Sequence, residues 1–320
     1  MRNPAKDLKA LNIDKIIPDS KLFPVCVPSY QRPDAPILYE LKKDPRIPVI
    51  LFVRKTEKER YAKWKKYFKI VYLSGVSNIG ETRRAIVKYL YKNGVSGCFM
   101  MDDDIPKFGY LVKGYTKTGN KKLMLKNYPS EVCQISRDAL KLWQYYISLC
   151  KDVALSGVVY RPFSWMWENT KKPWMYNDGV IAQIFFVNVE LLTKSGINYR
   201  SNTECFNEDT CIQFEVMKAG LNTIHFKEFT YSVPVVGQIG GCSEMYGIDP
   251  NASKQENFER CIKSYTAGAH LLIDNIAKGH PGIVLKYERS GRGYAGFVWK
   301  YWRRPFDSVQ KSENSRIYTK

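Results

Sequence analysis

The chain has 320 residues, 44% of them apolar, enough for one large α/β domain or a domain with a smaller appendage. Lysine and arginine number 50 against 31 acidic residues, and the net charge of +19 favours polyanionic partners: nucleic acid, an anionic membrane or a phosphorylated substrate. Residues 1–21 lack the apolar stretch of a secretory signal, and the apolar run 180–192 is broken by Gln183, Asn188 and Glu190, so the expectation is a soluble, cytoplasmic protein with no stable membrane insertion.

Residues 23–28 predict a short buried strand, broken by the loop Ser29-Tyr30-Gln31-Arg32-Pro33-Asp34. A second strand is expected at 47–53, a strongly basic helix at 57–68 and a third strand at 70–73. Ala85, Ile86, Tyr89 and Leu90 at helical spacing predict a helix over 81–93, stopped by Gly94. A fourth strand at 97–101 ends at Asp102-Asp103-Asp104. Alternating strands and helices imply a mostly parallel sheet with helices packed on it. Further on, 113–126 reads as a surface hairpin or mobile loop and 131–150 as a helix. Strands are expected at 152–159 and 180–187, separated by the aromatic stretch 163–167. A helix at 208–219, an extended segment at 221–233, a glycine-rich loop at 237–241 and a helix at 256–278 precede a basic, aromatic tail.

Eight cysteines without a CxxC pair suggest reduced thiols in apolar surroundings. His225, His270 and His280 are not paired at ligand spacing, which argues against zinc. The aspartate triplet carries the chemistry. Three adjacent carboxylates repel one another, and at the carboxyl end of a buried strand a bound cation offsets that repulsion. The bland alternative is a solvated acidic loop.

The triplet has company. Pro28-Ser29-Tyr30-Gln31-Arg32-Pro33 follows the first strand, Asn78-Ile79-Gly80-Glu81-Thr82-Arg83-Arg84 opens a helix, and Asn207-Glu208-Asp209 opens another. This ordered set, over about residues 23–235, resembles the GT-A nucleotide-sugar glycosyltransferases, most of all the TET-associated glycosyltransferases of bacteriophages. The resemblance implies an α/β, GT-A-like fold with a mixed, mainly parallel sheet. It also implies a UDP-sugar donor and a divalent metal, Mn²⁺ or Mg²⁺, acting on 5-hydroxymethylpyrimidines in DNA. Asp102 would then face the ribose and Asp104 the metal, with Asp103 able to replace either. Pro28, Ser29, Tyr30 and Arg32 would surround the nucleoside, Tyr30 offering a stacking face. Asn78 and Gly80 would bring a helix start to the nucleotide, where backbone N–H groups favour anions. Arg83, with Arg84 as its competitor, would contact base or phosphate. Asp209 would be the general base, with Glu208 beside it, and stereochemistry stays open. His280 could join the metal, whereas His225 in an apolar strand reads as a core histidine.

The tail is read separately. Lys286, Arg289, Arg292, Lys300, Arg303 and Arg304 are interleaved with Tyr287, Tyr294, Phe297, Trp299, Tyr301 and Trp302. Cations hold a phosphate backbone and aromatic faces stack on bases. The same composition also suits an amphipathic segment packed on the core, or an anionic membrane. The expected organisation is a nucleotide-sugar-binding catalytic core over 1–235 and an acceptor-binding extension over 236–320 in the same globule. The expected function is metal-dependent sugar transfer from a nucleoside diphosphate to a hydroxyl of modified DNA, 5-hydroxymethylcytosine or its glycosylated form. The alternatives are a glycosyltransferase for a surface glycan or lipid-linked acceptor, a metal-dependent nuclease, and a non-catalytic DNA-binding protein.

Overall fold

Both faces of the first strand are covered, because all five of its residues are buried. The computed structural model describes residues 4–115, 121–126, 133–160, 174–176, 181–204, 208–232, 247–249, 251–257, 259–260, 263–264, 286–289 and 295–298. In chain order the first half holds α1 (Pro4–Leu11), α2 (Ile13–Ile16), β1 (Val25–Ser29), α3 (Pro36–Leu41), β2 (Val49–Arg54), β3 (Lys69–Leu73), α4 (Ile79–Lys92), β4 (Gly97–Met101), β5 (Lys107–Tyr115) and β6 (Lys121–Lys126). Then come α5 (Arg137–Ser148), β7 (Val153–Tyr160), β8 (Trp174–Tyr176), β9 (Ile184–Asn188), α6 (Val189–Lys194), α7 (Glu208–Lys218), β10 (Asn222–Ser232), β11 (Lys286–Arg289) and β12 (Ala295–Val298).

Ten strands form one sheet in the order β3-β2-β1-β4-β9-β7-β10-β5-β6, with β8 also on β10. The run β3-β2-β1-β4 is parallel, as is β7-β10, while β9, β5 and β8 run the opposite way. The sheet is therefore mixed and mainly parallel, as the alternating pattern predicts. Alternate residues feed two cores. Val25, Val27, Leu51, Val53, Phe99 and Met101 pack towards α3 and α5, among Ile37, Leu38, Leu140 and Trp143. Cys26, Phe52, Cys98 and Met100 face α4, α6 and α7, among Ile86, Leu90, Leu192 and Ile212. This two-sided burial explains the near-continuous apolar strands. Among the described residues no helix is long and apolar enough to cross a membrane.

Several elements differ from expectation. Residues 57–68 form no α-helix; 3₁₀ turns occupy Lys55–Glu57 and Ala62–Lys66. The helical spacing is real, since Glu57, Tyr61, Trp64 and Phe68 are buried. However, Glu57, Tyr61 and Trp64 are each hydrogen-bonded to the loop 29–33, and these anchors override the local helical preference. Residues 113–126 fall mainly in the β5–β6 hairpin. α5 starts at Arg137, where Ser136 caps it by accepting the Ala139 N–H at 3.2 Å. Gln183, at φ 64°, bends the chain before β9, so that strand begins at Ile184. Cys26, Cys98 and Cys133 are free thiols, but Cys211 is disulfide-bonded, which corrects the expectation of reduced thiols there. The expected helix at 256–278 is helical at 256–257, 259–260 and 263–264, and its remainder lies outside the described residues, as do 163–167 and 237–241.

Candidate active site

The loop after β1 and the aspartates after β4 meet because β1 and β4 are parallel neighbours, with Cys26 level with Met100. Ser29 Oγ donates to Asp103 Oδ2 at 2.8 Å, and Arg32 Nη1 donates to Asp103 Oδ1 at 2.8 Å. Asp103 is buried, and burial raises its pKa against the opposing pull of Arg32 and Ser29. Arg32 also lies 3.5 Å from Asp104 Oδ2. The other oxygen of Asp104, Oδ1, is buried with no hydrogen-bond partner among the described residues. Burial, then the charges of Asp102 and Asp103, push the Asp104 carboxyl up to about 6.

Asp102 turns elsewhere. Its N–H is tied to Gln183 O at 2.8 Å, and its Oδ1 accepts from Arg83 Nη2 at 2.7 Å. Arg83 is buried on α4, and its Nη1 donates to Glu208 at the start of α7. Burial opposes the guanidinium charge, but Asp102 and Glu208 outweigh it and the Arg83 pKa is raised. Arg84 is exposed, so the structure places Arg83, not its neighbour, among the acids. Half-buried Asp209 stands next to Glu208, and burial together with Glu208 pushes its carboxyl up to about 7, against the opposing pull of Arg83.

Asn78 caps α4 by accepting the Glu81 N–H at 3.0 Å, and its amide donates to Ser201 Oγ at 2.9 Å. Gly80 is packed against the chain itself: a Cβ there would stand 1.9 Å from Arg200 O. Its N–H donates to Asn202 Oδ1 at 2.8 Å, while Asn202 Nδ2 donates to Glu208 Oε2 at 2.9 Å. The Tyr30 ring carries the Arg54 guanidinium 3.7 Å from its centre. Pro28 is buried in β1 next to Ser29. His225 is buried in β10, its Nε2 2.9 Å from Val158 O, and it packs against Gly157 as a core residue. The structure thus brings together Ser29, Arg32, Arg83, Asp102, Asp103, Asp104 and Glu208, with Asp209 beside Glu208. Asn78 and Gly80 brace the 200–202 segment. His280, Arg292, Lys300, Arg303 and Arg304 lie outside the described residues; Lys286 and Arg289 are the ends of β11, paired with Val298 and Ala295 of β12.

Three supporting residues have no motif to announce them. Tyr61 OH is 2.8 Å from Ser29 Oγ and accepts the Arg32 N–H at 3.1 Å, and burial lifts its pKa to about 12. Both oxygens of Glu57 accept the N–H of Gln31, at 3.1 and 3.0 Å, holding that residue at φ 59°. Asn202 is the third. A hint existed only for Glu57, an acid inside a basic run.

Hard carboxylate oxygens suit Mg²⁺ or Mn²⁺, which take one or two carboxylates and complete their shell with water and phosphate. The orphaned Asp104 Oδ1 fits that role. Among the described residues no group of three or more His, Cys, Asp or Glu side chains is gathered for a metal; Asp103 is paired with Arg32 and Asp102 with Arg83.

A family model described as TET-associated glycosyltransferase matches residues 23–241. No curated protein matches. Among solved structures, a crystal structure described as mannose-1-phosphate geranyltransferase from Thermus thermophilus is similar at 10% identity, over 66% of this chain and 73% of that one, with a TM-score of 0.35. GalNAc-T7 crystallised with UDP, GalNAc and Mn²⁺ is similar at 9% identity over 78% of this chain, with a TM-score of 0.32; the match spans 48% of that chain, about half its length.

Proposed function

The chain belongs to the TET-associated glycosyltransferase family and is a glycosyltransferase, and from that premise we propose that it moves a sugar from a UDP-sugar to a hydroxyl of modified DNA. The acceptor is 5-hydroxymethylcytosine or a sugar already attached to it, and the reaction runs in the cytoplasm. The observation that carries the reading is the cluster at the ends of β1 and β4. There an orphaned Asp104 oxygen stands beside arginine-held Asp102 and Asp103, and Arg83 links Asp102 to Glu208.

Asp104 and Asp102 would hold a divalent cation, Mn²⁺ or Mg²⁺, with His280 as a further ligand. When bound, the ion supplies charge neutralisation for the leaving diphosphate. Pro28, Ser29, Tyr30 and Arg32 border the nucleoside, while Asn78 and Gly80 brace the 200–202 segment against the start of α4. Arg83 keeps Asp102 and Glu208 oriented by donating to both. Asp209 takes the proton of the acceptor hydroxyl, whose oxygen attacks the anomeric carbon. The bond from that carbon to the phosphate oxygen breaks, and UDP leaves with the electron pair. A carboxyl lifted to about 7 suits a base that works near neutral pH. Direct attack of this kind inverts the anomeric centre. Lys286, Arg289, Arg292, Lys300, Arg303 and Arg304 contribute phosphate-backbone contacts.

The test is a donor screen: protein, Mn²⁺ and duplex DNA with or without 5-hydroxymethylcytosine, against a panel of UDP-sugars. The readout is the mass of the digested nucleosides, beside Asp104→Ala and Asp209→Asn. A hexose or pentose gain confined to hydroxymethylated DNA, and absent in both variants, is expected. Donor hydrolysis without any DNA modification would remove DNA as the acceptor. Cleavage of DNA without a donor would point to a nuclease instead.

A further inference from the structure

From the end of β2 to the start of β3 runs a basic stretch whose cations the candidate active site does not use. Lys55, Lys58, Arg60, Lys63, Lys65, Lys66 and Lys69 are exposed; of its two acids, Glu59 is exposed and Glu57 is buried against Gln31. Folding therefore turns one acid inward and leaves the cations on the surface. Residues three apart in a 3₁₀ turn lie one above the other, which sets Lys63 and Lys66 in a row on Ala62–Lys66.

α3 brings Tyr39 to the same place, and Lys42 follows it. Lys42 Nζ lies 4.8, 5.9 and 5.6 Å from the ring centres of Tyr39, Trp64 and Tyr67. Lys63 Nζ lies 6.0 and 5.5 Å from Tyr39 and Trp64, and Lys66 Nζ 4.9 Å from Tyr67. Three ammonium groups thus gather on one aromatic cluster, in which Tyr39 is 38% and Tyr67 48% exposed. Asp34 accepts from Lys63 and from Tyr39 OH, whereas Lys42 and Lys66 have no carboxylate partner among the described residues. Converging like charges repel, and a bound polyanion relieves that repulsion. The cluster is also fixed to the active-site loop: Trp64 Nε1 donates to Pro33 O at 2.7 Å, and Asp34 stands two residues after Arg32.

We propose that this face, formed by Tyr39, Lys42, Lys63, Lys66 and Tyr67, binds the phosphate backbone of the acceptor DNA beside the active site. It rests on the reading of DNA as acceptor, and its residues are other than those of the basic tail. Lysines meet phosphates as point charges, and tyrosine hydroxyls and ring faces complete the contact. Binding of this kind positions the acceptor without reading its sequence.

The test measures affinity of the full chain for a labelled DNA duplex across a salt series. Wild type is compared with Lys42→Ala/Lys63→Ala/Lys66→Ala and with a charge-matched control at exposed positions, Lys88→Ala/Lys92→Ala/Lys218→Ala. The patch variant should bind about tenfold more weakly or worse, with a salt slope shallower by about 2 to 3, as expected for lost phosphate contacts. The control should stay close to wild type, and UDP-sugar hydrolysis should be equal in all three. If the patch variant loses its wild-type Tm, Lys66→Glu alone serves, since that side chain has no carboxylate partner to lose. Equal affinity of patch and control variants, with wild type binding DNA, overturns the patch and leaves the DNA acceptor standing. Donor hydrolysis by a wild type that binds phosphatidylserine vesicles but no DNA overturns the acceptor reading and the patch together.

Discussion

Replacing Arg83 by leucine removes the cation that joins the two halves of the candidate site. The Arg83 side chain is 3% exposed and that of Glu208 8%, so their pair is almost fully desolvated, while Asp102 is 27% exposed. Removing one partner of a buried pair costs about 3–5 kcal/mol because the other charge is left uncompensated. The partly solvated Asp102 pair adds at most about 1 kcal/mol. Leucine recovers some of this by packing where the guanidinium now lies 5.0 Å from the Phe185 ring centre. A net loss of about 3 kcal/mol is expected, a large part of the stability of a typical domain. Glu208→Gln removes the stranded charge, so Arg83→Leu/Glu208→Gln should be about 2 kcal/mol more stable than the sum of the two single changes. Urea midpoints at unchanged m-value measure both quantities. Additive single changes, or an Arg83→Leu loss below about 1 kcal/mol, would refute the picture of Arg83 as the neutraliser of buried Glu208.

Five further outcomes are expected. Because Asp209 is lifted to about 7, kcat/KM should fall as pH drops below that value, since the base must be unprotonated; a flat profile from pH 5.5 to 8 removes Asp209 from that role. A raised carboxyl stabilises the fold below its unfolded pKa, and that contribution is lost as pH rises through about 7; Asp209→Asn should therefore raise Tm at pH 8 but not at pH 4, read by thermal melts, while abolishing transfer. Asp104→Ala should erase the rise in Tm that Mn²⁺ gives the wild type, and a retained rise would place the cation elsewhere. Gly80→Ala forces a Cβ to within 1.9 Å of Arg200 O and should cost about 2–3 kcal/mol by urea unfolding, whereas Tyr61→Phe should raise the donor KM several-fold with little change in kcat if it only positions Ser29 and Arg32.

Strands β1 to β4, β7, β9 and β10, helices α4, α5 and α7, the stop of α4 at Gly94 and the aspartates at the end of β4 were legible in the sequence, whereas α1 to α3, α6 and β8 were not. They depend on short-range chemistry: periodicity, glycine punctuation, and carboxylates after an apolar run. The partners of those aspartates were not legible. Which oxygen faces Arg83, which faces Arg32 and which is left alone is decided by the parallel pairing of β1 with β4 and by the approach of α7 to α4. The same holds for Arg83 over Arg84, since one residue's rotation about a helix separates a buried guanidinium from an exposed one. The helical spacing at 57–68 was legible too, yet the backbone took 3₁₀ turns, because Glu57, Tyr61 and Trp64 are held by a loop some 30 residues away in sequence. Sequence by itself determined which residue types stand at the strand ends, since that follows from neighbours along the chain. Only the tertiary structure decided which charges compensate one another and which carboxylate oxygen is left over, because ion pairing depends on distance in space, and residues 19 to 125 positions apart meet only once the sheet has closed.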